Sequence, residues 1–146
     1  MKKRAFVFFL VAGILTSCQV RWENATKWTL YGYQGSRLFK IPIDSLKMLD
    51  TVQLNQDSVT SYLSSAKVVH PKEPFLWMGG YVTTCSLNGH LRKVEFSNYG
   101  NFFYDENEKH YYQLSSEKAE SWLAFVQNNL LTLARKKVIT PPQTHP

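Results

Sequence analysis

Apolar residues along this chain change their spacing from one stretch to the next, and each spacing predicts an element. Ala5 to Leu15 is an unbroken apolar run of eleven residues. It is too short to cross a hydrocarbon layer of about 30 Å, which takes about 20 residues. Gln19 to Thr26 is polar and has no period. Trp28 to Tyr33 alternates, with Trp28, Leu30 and Gly32 on one side, and predicts a strand. Gln34-Gly35-Ser36 suits a turn, and Leu38 to Ile43 a second extended segment that Pro42 confines to an edge or an irregular path. Val59, Tyr62, Leu63 and Ala66 then fall at i, i+3, i+4 and i+7, which predicts a helix over Asp57 to Val69. Asp57 is placed to cap it, and His70-Pro71 and Glu73-Pro74 end it.

The strongest local pattern runs from Trp77 to Ser97. Asn88-Gly89 suits a two-residue type I′ turn, whose central residues both need positive φ. That turn sets Leu87 against His90, Cys85 against Arg92, Thr83 against Val94 and Tyr81 against Phe96. Tyr81, Thr83, Cys85, Val94 and Phe96 then share an apolar face, and Thr84, Ser86, Lys93 and Glu95 share a polar face suited to water. Gly79-Gly80 suggests a bulge or bend at the hairpin's start. A second hairpin joins Asn101–Tyr104 to His110–Leu114 around the polar stretch Asp105 to Lys109, which reads as a solvated loop.

Ser115 or Ser116 caps a final helix, with Glu117 and Glu120 near its positive end and Arg135, Lys136 and Lys137 near its negative end. Ala119, Trp122, Leu123, Val126, Leu130 and Leu133 repeat along it at helical spacing. Thr140 to Pro146 contains three prolines and predicts an irregular tail. Consecutive hairpins flanked by two helices predict an α+β fold. Its antiparallel sheet of four to six strands packs against the C-terminal helix and a second helix.

The N-terminus changes how the composition reads. Lys2, Lys3 and Arg4 precede the apolar run, and Leu15-Thr16-Ser17-Cys18 follows it. These are the charged start, short apolar region and small-residue cleavage site of an export signal. The ending resembles the lipobox of bacterial lipoproteins. The resemblance covers residues 1–18, and no family resemblance covers residues 19–146. It implies cleavage before Cys18, a diacylglyceryl group on its sulfur and acylation of the new N-terminus, with the membrane as the first partner. Several acyl chains anchor firmly where one is marginal. Val20 stands where some Gram-negative lipoproteins carry an inner-membrane retention aspartate, which favours the outer membrane. The implied organisation is a signal over 1–17, a lipidated tether over 18–26, one domain over 27–138 and a tail over 139–146.

Cleavage removes three cations and no acids, leaving 14 basic against 11 acidic residues, a formal charge of +3 instead of +6. The remaining cations are scattered, so the chain lacks the basic stripe of a nucleic-acid binder. Of the two cysteines, lipidation of Cys18 leaves Cys85 without a disulfide partner, and a Cys18–Cys85 disulfide is the alternative. Cys85 lies mid-strand on the apolar face, which suits a core residue better than a nucleophile served by His90 or His110.

No catalytic motif is present, and the expectation is a protein that is not an enzyme and needs no cofactor. The four histidines, His70, His90, His110 and His145, are far apart in sequence with no paired-ligand spacing, so no metal site is expected. The stretch Asp105 to Lys109 lacks the glycine and terminal acid of a calcium loop.

Aromatic residues carry the remaining chemistry. Tyr99, Phe102, Phe103, Tyr104, Tyr111 and Tyr112 crowd one hairpin, and adjacent members must point to opposite faces. Tyr99, Phe102, Tyr104 and Tyr111 are the candidate binding surface, weighed against a core built simply from large residues. Asp44-Ser45-Leu46, Asp50-Thr51-Val52 and Asp57-Ser58-Val59 resemble the O-glycosylation motif of exported Bacteroidetes proteins, although aspartates before Ser also cap helices. Together these features lead to the expectation of a lipid-anchored envelope protein that binds a protein partner, as an immunity or inhibitor protein or as a scaffold. The alternative is an envelope binder of glycans or small ligands that uses the same aromatic residues.

Overall fold

The computed structural model describes residues 20–32, 42–71 and 80–139. Seven strands form one antiparallel sheet: β1 Ala25–Tyr31, β2 Thr51–Gln53, β3 Lys67–Val69, β4 Gly80–Leu87, β5 His90–Ser97, β6 Phe102–Asp105 and β7 His110–Gln113. Their order is β2-β1-β4-β5-β6-β7-β3, so the two shortest strands form the edges. Short edges expose few unpaired backbone groups, which limits edge-to-edge association. Two helices complete an α+β fold, α1 Gln56–Leu63 and α2 Ser116–Ile139. The sheet has one strand more than the upper expectation.

The β4–β5 hairpin has the anticipated register, from Leu87↔His90 through Cys85↔Arg92 and Thr83↔Val94 to Tyr81↔Phe96. Asn88 and Gly89 both adopt positive φ, 53° and 79°, as their turn requires. Gly79 falls outside the described residues, and the sheet's irregularity lies in β1 instead. The register with β4 slips between Thr26 and Thr29, where Lys27 has φ 55°. An extra residue there bends the strand and lets Ala25 and Trp28, three residues apart, both reach the core.

Both helices cover one face. Val59 and Leu63 of α1, with Trp122 and Val126 of α2, pack on Trp28, Leu30, Tyr81, Cys85, Val94, Phe96, Phe103 and Tyr112. Trp122 stacks on Phe96 with centroids 4.3 Å apart. Phe103 lies parallel to its cross-strand partner Tyr112 at 4.6 Å. The neighbouring Phe102 and Tyr111 are only half-buried, so strand alternation sorts each aromatic pair as anticipated. Ser115 caps α2, its Oγ accepting from the Lys118 N–H.

Four expectations need correction. The helix expected over Asp57–Val69 ends at Leu63, and Lys67–Val69 is an edge strand paired with β7. Ala66 is buried but outside the helix, and β-branched Val68 and Val69 suit the strand. Its cap is Asn55, whose Oδ1 accepts from the Ser58 N–H, two residues earlier than the expected Asp57. The fold also takes in part of the expected tether. Trp22 is 2% exposed, touches Trp28, Phe103 and Tyr112 edge-on or tilted at 5.9 Å, and leads directly into β1. Finally, the polar face of the first hairpin is not in water. Thr84, Lys93 and Glu95 are all buried, and Tyr31, Leu46 and Val82 form a small second core on that side with Ile43 and Leu49. The second extended segment, Leu38–Ile43, lies mostly outside the described residues. Its described end enters a turn before a short 3-10 helix, Ser45–Met48.

Candidate binding face

Strand β5 places Arg92 and Lys93 on opposite sides of the sheet, and each cation finds carboxylates there. On the helix-bearing side, Arg92 Nη1 stands 3.4 Å from Asp105 Oδ2, close enough for charge pairing although outside hydrogen-bond geometry. The Arg92 Nη2 group donates to Glu108. Asp105 is 0% exposed, and its Oδ1 accepts from the Asn107 N–H. Burial pushes the Asp105 carboxyl above its ordinary value, against the opposing pull of Arg92 and backbone donors. The same surroundings push the Cys85 thiol up to about 12, through burial first and the Asp105 charge second.

On the other side, Lys93 Nζ lies 2.8 Å from Glu95 Oε1 and 3.3 Å from Glu106 Oε2. Lys93 is 2% exposed and Glu95 5%. Desolvation raises the Glu95 carboxyl, and the hydrogen bond from Lys93 offsets part of that rise. Tyr31 and Thr84 share a hydrogen bond of 3.1 Å on this face. The stretch Asp105 to Lys109 is solvated at Asn107, Glu108 and Lys109, as anticipated, whereas Asp105 is buried. Its acids neutralise buried cations on both faces.

Next to this charged row, β6 and β7 bring together three of the four expected aromatic residues. Tyr104 pairs with Glu95 on one side and with Tyr111 on the other. The Tyr104 and Tyr111 rings are tilted at 36° with centroids 4.7 Å apart. Burial raises the Tyr104 hydroxyl pKa, helped by Tyr111 and the Glu95 and Glu106 charges. Phe102 lies two residues before Tyr104 and so on the same face, cross-strand from Gln113, which in turn faces Lys67 of β3. Tyr99 is not part of this cluster. It sits in the β5–β6 turn and is 74% exposed.

Sequence reasoning missed the charged row, because alternation assigns Lys93 and Glu95 to one face without telling whether that face is covered. It also missed the His70–His110 pair. The two rings stand edge to face at 6.2 Å although the residues are far apart in sequence. Cys18 lies outside the described residues. Of the hydroxyls in the Asp-Ser/Thr motifs, Ser45 and Thr51 belong to exposed residues, whereas Ser58 Oγ donates to Asn55 Oδ1 at 3.0 Å. Among the described residues no helix is long and apolar enough to cross a membrane, and no group of three or more His, Cys, Asp or Glu side chains converges as metal ligands. No protein-family model, curated protein or solved structure matches the chain.

Proposed function

We propose that this chain is a lipid-anchored envelope protein that acts without catalysis and holds a protein partner against the sheet face bearing Phe102, Tyr104 and Tyr111. The observation that carries this reading is the Tyr104–Tyr111 pair. It stands beside the Lys93–Glu95–Glu106 row, on the face opposite the two helices. Phenol rings offer apolar area with a polar tip at low conformational cost, the usual chemistry of interface anchors. The ion pairs beside them tie the strands together, which lowers the ordering cost of binding. A thiol nucleophile finds no support, since Cys85 is buried and its pKa is pushed up to about 12.

The anchor fits this orientation. The core residue Trp22 lies four positions after Cys18, a reach of at most about 14 Å when fully extended. Lipid on Cys18 would therefore hold the domain against the membrane. The chain enters the fold at Trp22 on the helix-bearing side, opposite the aromatic face. An immunity protein meeting a secreted toxin and an envelope scaffold are both served by such a face.

A second reading, glycan binding, is favoured by one feature. An open groove of about 270 Å³ lies at the β3–β7 edge, lined by Ser65, Lys67, Gln113, Leu114, Ser115 and Ser116. It is smaller than most ligand pockets, and its hydroxyl and amide groups suit a sugar's edge.

The test compares the native chain with a Tyr104→Ala/Tyr111→Ala variant in pull-downs from detergent-solubilised envelopes. The proposal expects a stoichiometric protein partner that the variant loses while its circular dichroism is unchanged. A partner kept by the variant, or none with either chain, would count against it, and retention on an envelope-glycan column lost by the variant would favour the second reading. Cys18→Ser should abolish lipid labelling and membrane retention, and persistence of both would refute the anchor.

A further inference from the structure

Antiparallel pairing of β3 with β7 matches Lys67, Val68 and Val69 with Gln113, Tyr112 and Tyr111. Continued by one residue, that register sets His70 against His110, and their rings stand 6.2 Å apart at 78°. We propose that this cross-strand pair is a two-nitrogen site for a divalent ion of the copper–nickel–zinc group.

Imidazole nitrogens bind such ions at about 2.0–2.1 Å. Two rings sharing one ion then hold their centroids about 4.5–5.2 Å apart, for angles at the metal of about 90–109°. The observed separation lies within about 1 Å of that range, a difference that side-chain rotation can close. His70 is exposed and His110 half-buried, so water can fill the remaining positions.

The nearby carboxylates are occupied. Asp105 is the cross-strand partner of His110, but its oxygens serve Arg92 and the Asn107 N–H, and Glu108 also serves Arg92. Among the described residues, the site therefore has two imidazoles and no carboxylate left over. Such a set suits the tetragonal nitrogen–oxygen geometry of Cu²⁺ or Ni²⁺ better than the closed tetrahedral shell of structural zinc. A bound ion would also tie the edge strand β3 to β7, joining a three-residue element to the sheet by a second link.

Full-length chain without a histidine tag, in detergent, is titrated calorimetrically with Cu²⁺, Ni²⁺ and Zn²⁺, and the copper form is examined by frozen-solution EPR. The site predicts one ion per chain, tightest for copper, with two equatorial imidazole nitrogens. Losing one of two nitrogen ligands should weaken binding by at least the ~10-fold that outer-shell losses cost. His70→Ala and His110→Asn should each do so, and His90→Ala at the far hairpin turn should not. Acidification should release the ion, because only neutral imidazole coordinates. A metal-induced rise in the urea midpoint, present in the native chain and absent in His70→Ala, would support the link to edge stability. Absence of binding, binding unchanged by both substitutions, or a single-nitrogen copper spectrum would overturn the proposal.

Discussion

Gly100→Ala should be among the most damaging single-methyl additions in this protein, and Gly89→Ala is its internal control. Both glycines have positive φ, 67° and 79°. An L side chain in that region costs roughly 1–2 kcal/mol, and the loss of backbone freedom in the unfolded chain is the same for both substitutions. Space is what separates them. A Cβ at Gly89 would meet nothing within 4 Å, whereas one at Gly100 would lie 2.9 Å from Leu123 Cγ and 3.0 Å from the Ala119 carbonyl oxygen. Leu123 can shift, but the carbonyl belongs to the backbone of α2. Overpacking of this kind adds about 1–3 kcal/mol. The expected losses are therefore about 1–2 kcal/mol at Gly89 and about 2–5 kcal/mol at Gly100. Urea unfolding followed by tryptophan fluorescence reads both, since Trp22, Trp28 and Trp122 are buried. Leu123→Ala should relieve part of the Gly100→Ala loss, with a coupling above about 0.5 kcal/mol. Equal losses at the two glycines, or strict additivity with Leu123→Ala, would mean that α2 does not rest on the β5–β6 turn as described.

Two further predictions concern the buried charges. Lys93→Met leaves Glu95 buried without the ammonium 2.8 Å away, a loss of about 3–5 kcal/mol, and Lys93→Met/Glu95→Met should recover part of it. A double variant no more stable than the single one in urea would refute that account. For Asp105 the sign follows from its raised pKa. The folded protein holds this proton more tightly than the unfolded chain, so the ionised group opposes folding, most fully at pH above its folded value. That opposition lifts as the pH falls through the folded value towards the ordinary carboxylate value. The stability cost of Asp105→Asn should accordingly be smaller at pH 7 than at about pH 4, and thermal melts showing the reverse order would exclude desolvation as the dominant cause.

What could be read from the sequence divides along a physical line. The β4–β5 register follows from Asn88-Gly89 alone, because a two-residue turn leaves no freedom in how its strands pair. The division of Phe102 from Phe103 and of Tyr111 from Tyr112 follows from strand alternation, which is also local. The β3 strand was not legible. Ala66 prolongs the helical stripe of Val59, Tyr62 and Leu63, and the deciding contact, Val68 with Tyr112, lies far along the chain. Trp22 has no periodic neighbours, so nothing local signals that it fills the gap beside Trp28 and Phe103. The candidate face was half legible. Tyr104, Tyr111 and Phe102 share a side by alternation, but whether Lys93 and Glu95 meet water or protein depends on what else packs against that side.

The two charged clusters are best understood as one device. Arg92 and Lys93 are adjacent, so strand geometry forces their side chains to opposite faces, and neither could be buried alone without a large desolvation cost. The β6–β7 turn answers both. Asp105 and Glu108 serve Arg92, and Glu106 joins Glu95 in serving Lys93. Lying at the ends of two inner strands, one short acidic turn reaches both faces of the sheet. Breaking one buried pair costs several kcal/mol, and the turn takes part in two. That coupling fixes β6 and β7 relative to β5, and with them the separation of Tyr104 and Tyr111. The aromatic pair is thus held in place by charges buried beside it, which is how a sheet with short, otherwise weak edges can keep that face rigid.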